Sequence, residues 1–159
     1  RALERRLFQR GSRSFHLDGD NLRRGLNSDL QFSPEERSEN LRRAGEVARL
    51  AFEHGQIVLA SFISPQEEQR SQIKTRFPEE RFFLFHVDCS LEVCRNRDPK
   101  GLYQKADRGE IEEFTGVSAP YQSPLQPAAV LNTEVHSVDE LVDQVMTVLE
   151  GAGIFEVDD

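Results

Sequence analysis

Asp18 and Asp20 stand on either side of Gly19, directly after the apolar run Ser14 to Leu17. A carboxylate released at the end of a strand can orient an attacking hydroxyl, accept its proton or hold a water on Mg²⁺, which are the tasks a protein performs in phosphoryl transfer. Asp and Gly are also ordinary turn residues, so the tripeptide by itself reads both ways. Arg23, Arg37, Arg42 and Arg43 follow within 25 residues of that turn. A guanidinium group matches the oxygens of phosphate or sulfate through paired hydrogen bonds. The alternative for such a group is a solvated helix face with ion pairs to Glu35, Glu36, Glu39 and Glu46, and for Arg42 and Arg43 this is the reading adopted. Ser64 follows a second apolar run, Ile57 to Phe62, so its hydroxyl is expected in the same cleft as Asp20. Before Pro65 and ahead of Glu67, it is also placed as the N-cap of a helix.

Other chemistries lack their residues. His16 and His86 lie inside apolar runs, His54 precedes Gly55 and His136 precedes a capping serine, so no histidine has a metal-ligand spacing and no Ser, His and Asp arrangement stands out. Cys89 and Cys94 are the only two cysteines; their separation matches neither a zinc knuckle nor a secreted disulfide framework. They are read as small buried apolar residues in a reducing cytoplasm, with redox pairing as the minor alternative. A net charge of -8 argues against a general nucleic-acid surface, but leaves room for a small anion held by a few local cations. No apolar run approaches the roughly 18 residues that span a bilayer, so the chain is read as soluble and without a membrane partner.

The elements that would position these groups alternate. Ser14 to Leu17, Ile57 to Phe62, Phe82 to Val87 and Ala129 to Leu131 read as buried parallel strands. Between the first two, Ser33-Pro34-Glu35-Glu36 opens a helix with a capping box, and Leu41, Ala44, Val47, Ala48, Ala51 and Phe52 form its apolar stripe up to Gly55. Ser64-Pro65-Gln66-Glu67 repeats the start signal, and Ser137 with Glu140 opens a C-terminal helix carrying Leu141, Val145 and Leu149. Alternation of this kind predicts an α/β fold with a mostly parallel sheet covered on both faces and ligands at the carboxyl ends of its strands. The segment from Asp98 to Pro127, rich in charge, Gly and Pro, is expected to be a mobile lid with one short helix at Leu102 to Asp107.

Taken in order, five stretches resemble the adenylylsulfate (APS) kinase family over nearly the whole chain. They are Leu17-Asp18-Gly19-Asp20-Asn21-Leu22-Arg23, Gly25-Leu26-Asn27 to Phe32-Ser33, Glu36 to Arg43, Phe62-Ile63-Ser64-Pro65 with Arg70, and Asp98-Pro99-Lys100-Gly101-Leu102-Tyr103 leading to Phe114-Thr115-Gly116. The resemblance implies a three-layer P-loop kinase-like fold, with residues 1–159 as one kinase domain and a lid over about 98–127. It implies transfer of the γ-phosphoryl group of MgATP to the 3′-hydroxyl of adenosine 5′-phosphosulfate. By that resemblance Asp20 approaches the hydroxyl and the metal, Arg23, Arg37 and Asn40 hold the phosphosulfate, and Phe32 and Phe114 sandwich the adenine. Ile63 and Ser64 line the pocket, and Asn21, Leu22, Ser38 and Glu39 complete the substrate set. Lys100 belongs to the lid, and Arg97 and Asp98 lie where the family places the ATP adenine. Ser64 also matches a phosphoserine position of the family, although an acceptor hydroxyl oriented by Asp20 needs no covalent relay.

The family's Gly-x-x-x-x-Gly-Lys-Ser/Thr loop is not found in these residues and is expected just upstream of Arg1. Ser118 and Gln122 stand where the family usually has acidic residues, and Asn132 where it often has Asp. A homodimer or higher homo-oligomer is the family expectation, with fusion to an ATP sulfurylase domain as a further one. Two other readings stay open: a sulfonucleotide-binding or regulatory module without kinase turnover, and a different P-loop nucleoside or sugar kinase.

Overall fold

Local signals in the sequence place most of the elements found in the computed structural model, which describes residues 1–155. The chain divides into two compact units, Arg1–Phe82 and a second that begins at Phe83. The first contains α1 (Ala2–Gln9), β1 (Ser14–Asp18), α2 (Gly19–Arg23), α3 (Pro34–Glu53), β2 (Ile57–Ser61) and α4 (Glu67–Lys74), followed by a 3₁₀ turn at Glu79–Arg81. The second contains β3 (Phe85–Asp88), α5 (Leu91–Arg97), α6 (Leu102–Asp107), β4 (Ala129–Asn132) and α7 (Val138–Gly151).

All four expected strands form, and they pair in parallel: β1 with β2 from Ser14↔Ile57 to Asp18↔Ser61, and β3 with β4 from Phe85↔Ala129 to Asp88↔Asn132. The third strand begins three residues later than Phe82, because Pro78 and the 3₁₀ turn occupy the approach and Phe82 stacks on Phe77 with ring centroids 5.9 Å apart. Parallel pairing puts the carboxyl ends of each pair at the same edge. In the first unit, therefore, Asp20 and Ile63 each stand two residues past the paired positions Asp18 and Ser61.

α3 carries much of the first unit's core. Ser33 accepts from the Glu36 amide while the Glu36 carboxylate accepts from the Ser33 amide, so the expected capping box closes both ways. Its buried residues are Asn40, Leu41, Ala44, Gly45 and Ala48, joined by Leu7 and Leu17 from α1 and β1. Val47, Ala51 and Phe52 of the expected stripe are only half-buried, since the buried face turns toward Gly45, where an added Cβ would lie 2.7 Å from Ile73 Cδ1. α7 repeats the capping box at Ser137 and Glu140, and buries Leu141, Val142, Val145, Met146 and Leu149 against the second unit's own core.

Ser64 does not cap α4, contrary to the expectation from Ser-Pro-Gln-Glu. The helix starts at Glu67 with Gln66 as its N-cap and no side-chain cap bond. The cause is Arg70, whose side chain is 3% exposed: its Nε and Nη2 hold Glu67 Oε2 at 3.0 and 2.6 Å, and its Nη1 donates to the Ser64 carbonyl at 2.6 Å. With Glu67 turned toward Arg70, Ser64 is held at φ 37°, outside the helical region. Two short helices were not anticipated. α2 is started by Asp18, whose Oδ1 accepts from the Asp20 and Asn21 amides, and α5 by Ser90, whose hydroxyl accepts from Val93. The helix expected at Leu102 to Asp107 is α6.

Candidate functional site

The two carboxylates after β1 divide their work. Asp18 is the N-cap of α2, which spends one of its oxygens on backbone amides. Asp20, two residues further on, has an exposed side chain at the strand ends. Gly19 between them is fixed by close approach: a Cβ there would lie 3.3 Å from the Phe62 ring, so the turn after β1 and the exit of β2 pack without a side chain.

Arg23 closes α2 and donates from Nη1 to the carbonyls of Leu30 and Gln31 at 3.2 and 2.7 Å. Both bonds come from one nitrogen of a five-donor group. Its guanidinium carbon lies 4.4 Å from the centroid of the Phe32 ring, and that of Arg37 lies 5.7 Å from the same ring. Arg37 is itself anchored by Nε to the Phe32 carbonyl at 2.8 Å. Phe32 is 58% exposed, so it contributes little to the core, and two cations flank a large apolar ring that faces solvent. The Arg23 pKa is lowered, first by burial and next by the Arg37 charge. A guanidinium group whose charge is disfavoured by burial and by a second cation nearby is a place where an anion is stabilised.

One face of α3 continues the cluster, because Arg37 and Asn40 are three residues apart on the helix. Asn40 is 5% exposed and accepts on Oδ1 from Asn27 Nδ2 at 2.9 Å. Ser38 donates to the Pro34 carbonyl at 3.0 Å and accepts from the buried Gln69 at 3.0 Å. Glu39 accepts from Arg42 and Arg43, which lowers its pKa to about 2. Arg43 reaches on to Asp29 at 2.7 Å, so Arg42 and Arg43 form ion pairs as the sequence reading held. Asn21 is exposed, Leu22 is half-buried and its carbonyl accepts from the Asn27 amide at 2.8 Å, and Ile63 is 60% exposed beside the half-buried Ser64. The first unit thus brings Asp20, Arg23, Phe32, Arg37 and Asn40 into one stretch of structure built by α2, the turn after it and the start of α3.

In the second unit, Arg97 donates from Nη1 and Nη2 to the Thr133 hydroxyl and carbonyl at 3.0 and 2.8 Å, which ties the end of α5 to the segment after β4. Asp98 accepts from the Tyr103 and Gln104 amides, both at 3.2 Å, and so holds the first turn of α6. Lys100 is exposed between these two helices. Phe114 meets Tyr103 edge to face with centroids 5.0 Å apart, and its amide donates to Ser118 at 2.9 Å. Cys89 and Cys94 are half-buried, not enclosed in a core as expected. Cys89 sits beside Arg97 at 3.6 Å, and burial pushes the Cys94 thiol pKa up. Of the groups that organise the first-unit cluster, Asn27 carried no role in the sequence reading: a Gly-Leu-Asn turn gives no sign that its Asn is enclosed.

The family model described as adenylylsulphate kinase matches residues 1–132. The chain is 48% identical over 149 residues to the adenylyl-sulfate kinase of Oceanobacillus iheyensis, covering 94% of this chain and 75% of that one. It superposes on the Mycobacterium tuberculosis APS kinase in complex with AMPPNP and APS with a TM-score of 0.88 at 44% identity, covering 93% of this chain and 86% of that one. A hexameric APS kinase from Thiobacillus denitrificans gives a TM-score of 0.71 at 27% identity, covering 99% of this chain and 26% of that chain. With its parallel strands, and with kinases of the P-loop fold as its structural neighbours, the chain belongs to the adenylylsulphate kinase family.

Proposed function

We propose that the protein transfers the γ-phosphoryl group of ATP to the 3′-hydroxyl of adenosine 5′-phosphosulfate. The observation that carries this reading is the pair Arg23 and Arg37 flanking the exposed Phe32 ring, with Arg23 three residues from Asp20 on α2. An aromatic face beside two cations suits a ligand that is both a base and an oxyanion, and a sulfonucleotide is both. Arg23, Arg37 and Asn40 then hold the phosphosulfate, and Phe32 takes the adenine. Asn21, Leu22, Ile63, Ser64 and the α3 residues Ser38 and Glu39 shape the surroundings. In the second unit Phe114 is assigned to the adenine, Lys100 to the lid, and Arg97 and Asp98 to the ATP base.

Asp20 is the group assigned to the acceptor. Its carboxylate takes the proton of the 3′-hydroxyl as that oxygen bonds to the γ-phosphorus, while the bond to the ADP oxygen breaks. The donor set also fits Mg²⁺, which takes one or two carboxylates and completes its octahedron with phosphate oxygens and water. Among the described residues no group of three His, Cys, Asp or Glu could hold a metal by itself, so Asp20 would hold it jointly with substrate. The cation would neutralise charge on the transferred group. No described helix is long and apolar enough to cross a membrane, and the likeness to a hexameric relative supports assembly into a homo-oligomer.

The test is turnover by the full-length protein with ATP, Mg²⁺ and adenylylsulfate, followed as formation of the 3′-phosphorylated product. Asp20→Asn is expected to lower kcat by about 10²-fold or more, the contribution of a positioned general base. Arg37→Ala is expected chiefly to raise KM for adenylylsulfate. Tight sulfonucleotide binding without turnover would move the protein to the non-catalytic binding module. No binding of adenylylsulfate at all would overturn the reading.

A further inference from the structure

Asn27 is fully enclosed at 0% exposure, in the turn that links α2 to α3. Its backbone is tied at both ends, with its amide donating to Leu22 at 2.8 Å and its carbonyl accepting from Leu30 at 3.1 Å. Its Nδ2 donates to the Asn40 Oδ1 at 2.9 Å and approaches the Asn40 backbone carbonyl at 3.4 Å. Its own Oδ1 is buried without a hydrogen-bond partner among the described residues. An apolar side chain of the same size would avoid that unpaired oxygen, so packing alone does not account for an asparagine here.

We propose that Asn27 is a positioning residue that sets which end of the Asn40 carboxamide meets the sulfonucleotide. This rests on the reading of Asn40 as a phosphosulfate contact. A carboxamide has an acceptor end and a donor end, and they repel and attract an anion respectively. Reversing the Asn27 amide would set its oxygen against two oxygens of Asn40, so the donor end of Asn27 must face α3. The Asn40 oxygen is thereby turned inward, and its NH₂ is the end left to contact an oxyanion. Were the amide free to reverse, half of its orientations would present an oxygen to a negatively charged ligand. Because Asn27 belongs to the same turn as the Arg23 carbonyl acceptors Leu30 and Gln31, this turn sets the donors of both α2 and α3.

The experiment compares Asn27→Leu, Asn27→Asp and Asn40→Ala in the full-length protein, reading adenylylsulfate affinity, ATP affinity, kcat at saturation and thermal unfolding. Asn27→Leu removes the donor and the unpaired oxygen together. It is expected to weaken adenylylsulfate about tenfold, with ATP affinity, saturating kcat and melting temperature close to those of the parent. Asn27→Asp at pH 8 keeps the shape but presents acceptors, and is expected to weaken adenylylsulfate at least as much. In ¹H–¹⁵N spectra the Asn40 NH₂ signals are expected to shift with adenylylsulfate in the parent, and to lose that shift in Asn27→Leu. If Asn40→Ala weakens adenylylsulfate while both Asn27 variants bind like the parent, the positioning role is overturned and the site stands. If Asn40→Ala binds like the parent, the site reading itself fails and takes the proposal with it. If both Asn27 variants melt early and lose affinity for ATP and adenylylsulfate alike, Asn27 is a structural residue and the proposal is overturned.

Discussion

Glu39 shows how one residue can organise the arginines around it. Its carboxylate accepts from Arg42 at 2.6 and 2.8 Å and from Arg43 at 2.8 Å, and Arg43 extends the network to Asp29. These donors hold its pKa at about 2, below the ordinary 4.5. A carboxylate depressed in the folded state contributes stability that is complete above its unfolded value. That contribution declines as pH falls from about 4.5 to about 2 and is gone below the window. The carboxyl carbon of Glu39 is therefore expected to titrate near the bottom of that range in an NMR titration of the folded protein. In the Glu39→Gln variant the acid unfolding curve should lose part of its slope across the same window. Titration of Glu39 at an ordinary glutamate value would remove the network. The pairing of Arg42 and Arg43 was legible because glutamates stand three and four positions away on a helix. The destination of Arg23 was not, since its acceptors are carbonyls of a turn, and any residue type can supply a carbonyl.

At the scale of elements, the same four-residue pattern gives two outcomes. Ser33-Pro34-Glu35-Glu36 closes a capping box, whereas Ser64-Pro65-Gln66-Glu67 leaves its serine outside the helix. What decides is the Glu: Glu36 reaches back to the Ser33 amide at 3.2 Å, while Glu67 is held by a buried arginine one turn ahead. Ser33→Ala is accordingly expected to cost about 1 kcal/mol in chemical denaturation, the usual worth of an N-cap, and Ser64→Ala to cost nothing through capping. Equal losses for both would mean that Ser64 caps after all. Helix starts and strands are written locally, in caps and apolar runs, and were legible here for that reason. The break at Ser64 was not, because it depends on how deeply Arg70 is enclosed, which is a property of the packed unit.

At the scale of the whole molecule, the longest stretch without a helix or strand among the described residues lies between α6 and β4. From Arg108 to Ala128 it holds no helix or strand, only an isolated bridge between Thr115 and Ala119. Composition, through charge, Gly and Pro, marked the wider stretch from Asp98 to Pro127, whose first part folds as α6 with Asp98 holding its first turn, and at the far end Ala128 donates to the Leu84 carbonyl at 2.7 Å. Asn27 was the opposite case, a polar residue in a turn whose burial only the assembled unit reveals. A segment anchored at both ends and holding no helix or strand between them is the part of a kinase suited to close over nucleotides. As a lid, it should be cut first by trypsin at Arg108, whose side chain is 56% exposed and paired to the nearby Glu110. If closure hides this bond, adenylylsulfate and a non-hydrolysable ATP analogue at about ten times their Kd should slow the cut about tenfold, by mass action on the uncut form. Cleavage at Arg108 with an unchanged rate under those ligands would show a merely exposed loop. First cleavage within α3, which carries Arg37, Arg42, Arg43 and Arg49, would place the weak point of the molecule elsewhere. Slowing by both nucleotides together, beyond what either achieves alone, is the result that ties this segment to the phosphoryl transfer assigned to Asp20, because only a lid closing on both substrates excludes water from the γ-phosphate.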